Sequence, residues 1–370
     1  MLIDLIAGAR PNFMKIAPII HAIGKVNEQT HLIRYRLIHT GQHYDKNMSS
    51  SFFEQLGIPD PDINLHAGGG TQAEQTSAIM IGYENALFKQ KPDLCLVVGD
   101  VTSTMACAIV AKKLFVLVAH VEAGIRSGDW TMPEEINRVV TDSITNYFFT
   151  TTVIANENLL KGGVNESNIF YVGNTMIDTL FKNKSLFRRP DIWDTLNLKE
   201  RYFIIITLHR PTNVDNEKKL KVLIDEIIIH SKDLPLIFPV HPRTAKILKK
   251  IGVSHPRLNL IEPLGYHEFN YLVERSRAVI TDSGGITEET TVMSIPCMTL
   301  RDNTERPETV TLGTNELIGT NPKAIGPAFK KLFTGKWKKG GIIEKWDGKA
   351  AERIIDIIIN KININEKLLS

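Results

Sequence analysis

The sequence predicts an α/β protein built on two parallel sheets, and three observations carry that reading. Short apolar runs without polar alternation recur along the chain, as in strands buried on both faces. Helical spacings of apolar residues separate them. Each run ends in a polar loop, and open α/β sheets bind ligands outside the carboxyl ends of their strands. With 370 residues the chain is long for one core, so two domains are expected.

Met1 to Ala7 is the first apolar run, and it stops at Gly8-Ala9-Arg10-Pro11. Phe13, Ile16, Ile20 and Ile23 follow at helical spacing; Pro18 inside the pattern predicts a helix that starts near it or is kinked there. Tyr35 to His39 leads into Thr40-Gly41-Gln42-His43, Leu94 to Val98 into Gly99-Asp100, and Val116 to Val121 into Glu122-Ala123-Gly124-Ile125-Arg126. Ile169 to Val172 is the expected last strand of this half. Between Phe181 and Arg201 the chain turns polar and basic, and Arg188-Arg189-Pro190 marks a connector.

A second series follows. Tyr202 to Thr207 runs into His209-Arg210, Leu236 to Val240 into His241-Pro242-Arg243, and Asn259 to Ile261 into Glu262-Pro263. Ala278 to Thr281 then meets Ser283-Gly284-Gly285, and Cys297 to Leu300 meets Arg301-Asp302. Asp347 to Ser370 reads as helical. Two such halves facing one another would build a cleft.

Around Ser283 the pattern is strand, Ser-Gly-Gly turn, helix start. Free backbone N–H groups and the positive helix end then point at one spot, which should hold an anion. Glycines let a ligand approach the backbone closely. Arg301 and Arg306 offer the forked donors suited to a diphosphate. Glu288 and Glu289 are expected in the first turn of the helix, one of them placed for a sugar diol. An ordinary αβ turn with surface arginines is the plain alternative.

Composition excludes several classes. A net charge of +3, with 44 basic residues spread along the chain, does not suggest nucleic-acid or membrane binding. Cys95, Cys107 and Cys297 are an odd number in apolar contexts and read as buried thiols of a reducing compartment. With no apolar export segment near Asp4 and Arg10, a cytoplasmic location is expected. No metal site is expected: His39 and His43 straddle a strand end and a turn. P-loop and G-x-G-x-x-G motifs are absent, so no nucleotide cofactor is expected either.

The remaining candidates for chemistry are Asp100, Glu122 and Glu134 on loops of the first half and His209 on a loop of the second. Several acids brought together can push their pKa values apart, giving an acid and a base in one site. Each also has a plain reading: Asp100 as a helix N-cap, Glu134 as a first-turn acid, His209 as a turn histidine bonded to backbone. Arg10 and Lys15 either bind phosphate or face solvent.

These residues fall in motifs. Gly8-Ala9-Arg10-Pro11-Asn12-Phe13-Met14-Lys15, Thr40-Gly41-Gln42-His43, Gly99-Asp100, His120-Val121-Glu122-Ala123-Gly124-Ile125-Arg126, Pro133-Glu134-Glu135-Ile136-Asn137-Arg138, Thr281-Asp282-Ser283-Gly284-Gly285 and Thr304-Glu305-Arg306-Pro307-Glu308 occur in this order. Together they resemble the bacterial non-hydrolysing UDP-N-acetylglucosamine 2-epimerases. The resemblance implies GT-B architecture with two Rossmann-like domains: 1–175 carrying the acids, 176–350 binding UDP, and a helix over 351–370 that crosses back. It implies cofactor-free interconversion of UDP-N-acetylglucosamine and UDP-N-acetylmannosamine for surface polysaccharide synthesis, through loss and return of UDP via 2-acetamidoglucal. The catalytic roles fall to Asp100, Glu122, Glu134 and His209. Arg10, Lys15, Arg138 and Arg306 would meet the substrate; Ser283, Gly284 and Gly285 would bind phosphate through N–H groups, Glu289 the ribose, and the Phe269 backbone the uracil. A homodimer is also expected.

The departures set further expectations. The family's commoner Gly-Thr-Arg-Pro-Glu is here Gly-Ala-Arg-Pro-Asn, and Pro211-Thr212-Asn213 follows His209-Arg210 in place of an Arg-Glu pair. Leu264 stands where many relatives carry glutamine. Tyr44-Asp45 follows Gln42-His43, and no arginine precedes Thr71-Gln72-Ala73-Glu74, so activation by a second substrate molecule is expected to be altered or absent. A modified substrate, such as a diacetamido sugar or a uronic acid, fits the same differences. A hydrolysing relative, a GT-B glycosyltransferase and a non-catalytic sugar-nucleotide-binding protein are the competing readings.

Overall fold

The computed structural model describes residues 1–41, 53–240 and 242–362. Gln42, His43, Tyr44, Asp45 and His241 lie outside the described residues. The chain divides into two compact units, one of Met1–Thr179 with Glu344–Ser370 and one of Leu180–Ile343. The first crossing thus falls later than the expected 175, and the return earlier than the expected 351.

Among the described residues the first unit holds seven strands: β1 (Leu2–Ala7), β2 (Arg34–His39), β3 (Ile63–Asn64), β4 (Leu94–Val98), β5 (Leu117–Val121), β6 (Tyr147–Thr150) and β7 (Ile169–Tyr171). They pair in the order β3-β2-β1-β4-β5-β6-β7, parallel throughout. β1, β4 and β5 are buried along their whole length, which is why they read as unbroken apolar runs. Asp4 is the exception within β1; Arg36, directly opposite on β2, holds it at 2.7 and 2.8 Å. Because β1 lies beside β4, the winding reverses there, and that is where such sheets open a crevice. The turns after β1 and β4 sit at this switch.

The helices α1 (Arg10–Thr30), α2 (Gln72–Lys89), α3 (Thr102–Lys113), α4 (Pro133–Ile144), α5 (Val153–Lys161) and α6 (Thr175–Asn183) follow. α1 starts at Arg10, not near Pro18, and passes through Pro18. Proline cannot supply the N–H that the Met14 carbonyl would receive. The Thr179 hydroxyl donates to that carbonyl instead, at 2.5 Å. Thr71 opens α2 with a reciprocal cap: its hydroxyl accepts from Glu74 N at 3.2 Å, and Glu74 accepts from Thr71 N at 2.7 Å.

The second unit pairs β8 (Ile204–Thr207), β9 (Leu236–Pro239), β10 (Leu258–Ile261), β11 (Ala278–Thr281), β12 (Cys297–Thr299) and β13 (Asn315–Leu317) in the order β10-β9-β8-β11-β12-β13, again parallel. Its switch lies between β8 and β11. Helices α7 (Glu217–His230), α8 (Tyr266–Arg275), α9 (Gly284–Val292) and α10 (Ile325–Phe333) belong to it. One face packs Leu220, Leu223, Ile224 and Ile227 of α7 with Phe329 of α10; the other packs Leu272 and Val273 of α8 with Phe203. The three cysteines are buried free thiols, and among the described residues no helix is long and apolar enough to cross a membrane.

The last helix, α11 (Ala350–Asn360), belongs to the first unit and packs on α1. Asp178 of α6 caps it from a distance, accepting the N–H groups of Ala350 and Ala351 at 3.1 and 2.7 Å. Burial pushes the Asp178 carboxyl up to about 6, against the pull of those two N–H groups. The native state therefore holds a proton that the unfolded chain releases, so this contribution to stability is full below about pH 4 and is lost as pH rises through 6. Asp178→Asn should lack that decline. Thermal melts at pH 4.5 and 7.5 should show the variant gaining on the native protein by roughly 2 kcal/mol at the higher pH; a constant difference would contradict it.

Candidate functional site

In the first unit the candidate residues gather where β1, β4 and β5 end. Asn12 organises the first turn. Its carboxamide oxygen accepts from Gly8 N and Ala9 N at 3.3 and 2.9 Å, and its amide donates to the Val98 carbonyl at 3.0 Å. The departure at this position therefore stitches the turn after β1 to the end of β4. Arg10 opens α1, and its side chain lies outside the described residues. One turn on, Lys15 reaches Glu122 at 2.6 Å, with both side chains largely buried. Gly99 has a positive φ of 68°, which favours glycine, and a Cβ there would lie 3.0 Å from Lys15 Nζ and press that ammonium aside.

Glu122 itself has a φ of 70°, a left-handed conformation that a non-glycine residue adopts at a cost of about 1–2 kcal/mol. Strain of that kind persists only where the surroundings enforce it. Asp100 does not cap a helix: Val101 is the N-cap of α3, and Asp100 takes Arg138 Nε and Nη2 at 3.1 and 2.5 Å. Arg138 spans two carboxylates, because its Nη1 bonds Glu135 at 2.7 Å. Glu135 also accepts Ser127 N and Gly128 N, at 2.9 and 3.0 Å. Burial alone would raise the Glu135 carboxyl; these N–H groups and Arg138 bring it below its usual range. Glu135 is thus the anchor of the loop before α4, while Glu134 sits half-buried in the first turn.

In the second unit the candidates gather where β8 and β11 end. Among the described residues the His209 ring makes no bond to backbone; its Nδ1 lies 2.8 Å from Asp282, with the ring side mostly in solvent and the carboxylate fully buried. Asp282 also accepts Arg210 N at 3.0 Å and Asn213 Nδ2 at 3.1 Å. Asn213, another departure, is therefore a support for that carboxylate. Burial would raise the Asp282 carboxyl, but His209 and these donors hold it below its ordinary value.

Ser283 stands at the N-cap of α9, making no side-chain cap bond, and Gly284 and Gly285 are the first helical residues. Glu288 and Glu289 consequently fall beyond the first turn, where the expectation had put them, and both are buried. A Cβ on Gly284 would stand 2.6 Å from Glu305 Oε1 and 4.0 Å from Arg301 Nη1; one on Gly285 would meet open space. Arg301 is buried, its Nη2 2.6 Å from Glu305, while its Nη1 is buried without a hydrogen-bond partner among the described residues. Arg306 Nε lies 2.6 Å from Glu288. Burial would raise the Glu305 carboxyl, yet Arg301, then Arg306, bring it down to about 2. A helix N-terminus and, among the described residues, a buried guanidinium nitrogen without a hydrogen-bond partner are the groups here that can receive an anion, while the charges of Arg301 and Arg306 are already met by Glu305 and Glu288.

Glu289 accepts from Tyr266 Oη at 2.9 Å, and burial lifts its carboxyl to about 7, partly opposed by Tyr266 and Asn270. Phe269 lies on α8 against the apolar layer, and its N–H is used within the helix on Gly265 O at 2.9 Å. Asp282, Glu305, Asn12 and the buried pair His120–Asp142 are residues to which sequence reasoning gave no role. The signal for Asp282 was present, a carboxylate directly after four buried strand residues. Glu305 gave none, since nothing local tells a buried acid from a surface one in a charged loop.

Comparisons with known proteins bear on the family and the fold. A family model described as UDP-N-acetylglucosamine 2-epimerase matches residues 25–359. The UDP-N-acetylglucosamine 2-epimerase of Methanocaldococcus jannaschii is 43% identical over 97% of this chain and 99% of its own. Its crystal structure in complex with UDP-GlcNAc and UDP superposes with a TM-score of 0.86 at 42% identity, covering 97% of this chain and 99% of that one. A UDP-2,3-diacetamido-2,3-dideoxy-D-glucuronate 2-epimerase of Pseudomonas aeruginosa is 40% identical over 86% of this chain and 88% of its own. With its two parallel sheets in a GT-B-like α/β fold, the chain belongs to the UDP-N-acetylglucosamine 2-epimerase family.

Proposed function

We propose that the protein is a non-hydrolysing 2-epimerase that interconverts UDP-N-acetylglucosamine and UDP-N-acetylmannosamine. One observation supports the reading: carboxylates paired with Lys15 and Arg138 gather at strand ends of the first unit, and buried arginines paired with Glu305 and Glu288 gather near the start of α9 in the second. The proton on sugar C2 is not α to a carbonyl, so its removal needs a departing group on C1. In the proposed sequence a carboxylate takes that proton as the C1–O bond breaks toward UDP. The C1–C2 double bond of 2-acetamidoglucal forms, and no oxidation state changes overall. UDP then returns to C1 while a second acid protonates C2 from the opposite face.

Asp100, Glu122 and Glu134 supply the carboxylates in this proposal. Arg138 orients Asp100, and Lys15 balances the charge of Glu122. In the second unit Gly284 and Gly285 offer N–H groups to the diphosphate with Arg301 and Arg306, Ser283 adds its hydroxyl because its own N–H is held by Thr281 Oγ1 at 3.0 Å, and His209, fixed by Asp282, faces the same leaving group. Glu289 takes the ribose hydroxyls, with Phe269 at the base. Arg10 joins the positive charge around the substrate, and a homodimer is part of the proposal.

The likeness to the diacetamido-glucuronate epimerase supports a second reading, the same chemistry on a modified UDP-hexose. One experiment tests both. The protein is incubated in deuterated water with UDP-N-acetylglucosamine and, separately, with the diacetamido-glucuronate analogue. The expected product is a C2 epimer carrying deuterium at C2. Free N-acetylmannosamine with UDP would establish the hydrolysing reaction instead, and a folded protein that labels neither sugar would end the proposal.

A further inference from the structure

His120 is fully buried on β5, between the two turns that carry Asp100 and Glu122. Both of its ring nitrogens sit on oxygens. Nε2 donates to the Gly99 carbonyl at 2.8 Å, and Nδ1 lies 2.7 Å from Asp142 Oδ1. The other Asp142 oxygen accepts Gly124 N at 3.1 Å and Arg126 Nη1 at 2.6 Å. A single buried pair therefore touches the peptide just before Asp100 and the turn just after Glu122.

Both turns need such support. Glu122 holds a positive φ of 70°, at a cost for a residue with a Cβ, and Gly99, which takes its φ of 68° freely, has in that freedom nothing of its own to fix the peptide before Asp100. The Gly99 peptide is held on both sides by β5, its N–H on the Val121 carbonyl at 3.0 Å and its C=O on His120. The strained Glu122 turn hangs its Glu122 and Ala123 N–H groups on the Phe149 carbonyl, at 3.0 and 3.2 Å. It is closed at its far end by Asp142, and by Asn158 Nδ2 donating to Gly124 O at 2.9 Å. Side-chain networks of this kind, fully bonded in a low-dielectric interior, rigidify what they touch.

We propose that His120 and Asp142 are a positioning pair that fixes the Asp100 and Glu122 carboxylates relative to one another. The inference rests on the catalytic reading of those two acids. Neither member of the pair touches the substrate; both act through the backbone of the turns. A misplacement of about 1 Å in such groups lowers turnover by about 100-fold. Affinity for UDP, a property of the second unit, should not follow.

The test uses the full chain. His120→Ala and Asp142→Ala are each compared with the native protein in two measurements: turnover by C2 deuterium exchange on UDP-N-acetylglucosamine, and the dissociation constant for UDP. Both alanine variants are expected to lose about 100-fold in kcat, with UDP binding changed by less than about threefold. Asp142→Asn should recover most of the loss. Its amide donates to Nδ1 while its oxygen still accepts from Gly124, so the tether survives without the negative charge. If an alanine variant fails to fold, Asn158→Ala removes one tether from the Glu122 turn alone and should show a smaller kcat loss of the same kind. Unchanged kcat in a folded variant, or UDP affinity falling in step with kcat, would overturn the proposal. Asp100→Asn and Glu122→Gln run alongside: if these two also keep full exchange, the catalytic reading itself is what has failed.

Discussion

Asp100→Asn and Glu122→Gln are each expected to lower kcat for epimerisation by about 10²–10⁴-fold, with UDP still bound by the second unit. Amides match the carboxylates in shape but neither accept nor return the C2 proton. The surroundings limit collateral damage. In Asp100→Asn, Arg138 retains Glu135 at 2.7 Å; in Glu122→Gln, Lys15 keeps an oxygen acceptor beside it. The two variants also separate the faces of the sugar. An enzyme lacking the acid that serves the second face still eliminates, so it should leak 2-acetamidoglucal and UDP, seen by proton NMR of the mixture. An enzyme lacking the acid that starts the reaction should do neither. Near-native epimerisation by both variants would remove these acids from the mechanism.

The second large effect is on stability. Arg301→Met should destabilise the protein by about 3–5 kcal/mol, because it leaves the buried Glu305 carboxylate without its 2.6 Å partner. Glu305→Gln in that background should return a large part of the loss. Urea denaturation of the native protein, the two single variants and the double variant measures the coupling; additive losses would show that the pair is not a unit. The pH dependence has a definite sign. With its carboxyl depressed to about 2, Glu305 contributes stability that is present above about pH 4.5 and lost as pH falls toward 2. Arg301→Met should therefore approach the native protein in stability at low pH. The same pair fixes the Arg301 guanidinium, whose Nη1 has no hydrogen-bond partner among the described residues.

Much of the fold was legible because fully buried strands leave an unbroken apolar signature. β4 and β11 have the expected limits, and most other expected strands differ by one or two residues at an end. β3, β6 and β13 were not foreseen. β3 has two residues and β13 three, too short to register as runs. β6 was readable, since Tyr147-Phe148-Phe149-Thr150 is an aromatic run of strand type, but it follows α4 so closely that it merges with the helix in the sequence. In the candidate site, strand-end loops made Asp100, Glu122 and His209 visible. Their supports were not, because Asp142 lies on a different element from the His120 it meets, as Asp282 does from His209. The packing of α4 on β5 joins the first pair, and the pairing of β8 with β11 joins the second. Sequence distance likewise hid the link between Asp100 and Arg138, which became clear only once α4 was placed over the end of β4.

Pro18 and Thr179 join residues that are remote in the chain in another way. The proline removes a donor from α1, and a hydroxyl from α6 restores one to the Met14 carbonyl. Neither residue has a strong reason for its identity alone. A relative that carries an ordinary helix former at the first position has no need of a hydroxyl at the second, and one that keeps the proline but loses the hydroxyl strands a buried carbonyl. The two positions should therefore drift together across related sequences, leaving a statistical trace between the start of the chain and the end of its first unit that no shared chemistry with the substrate would explain.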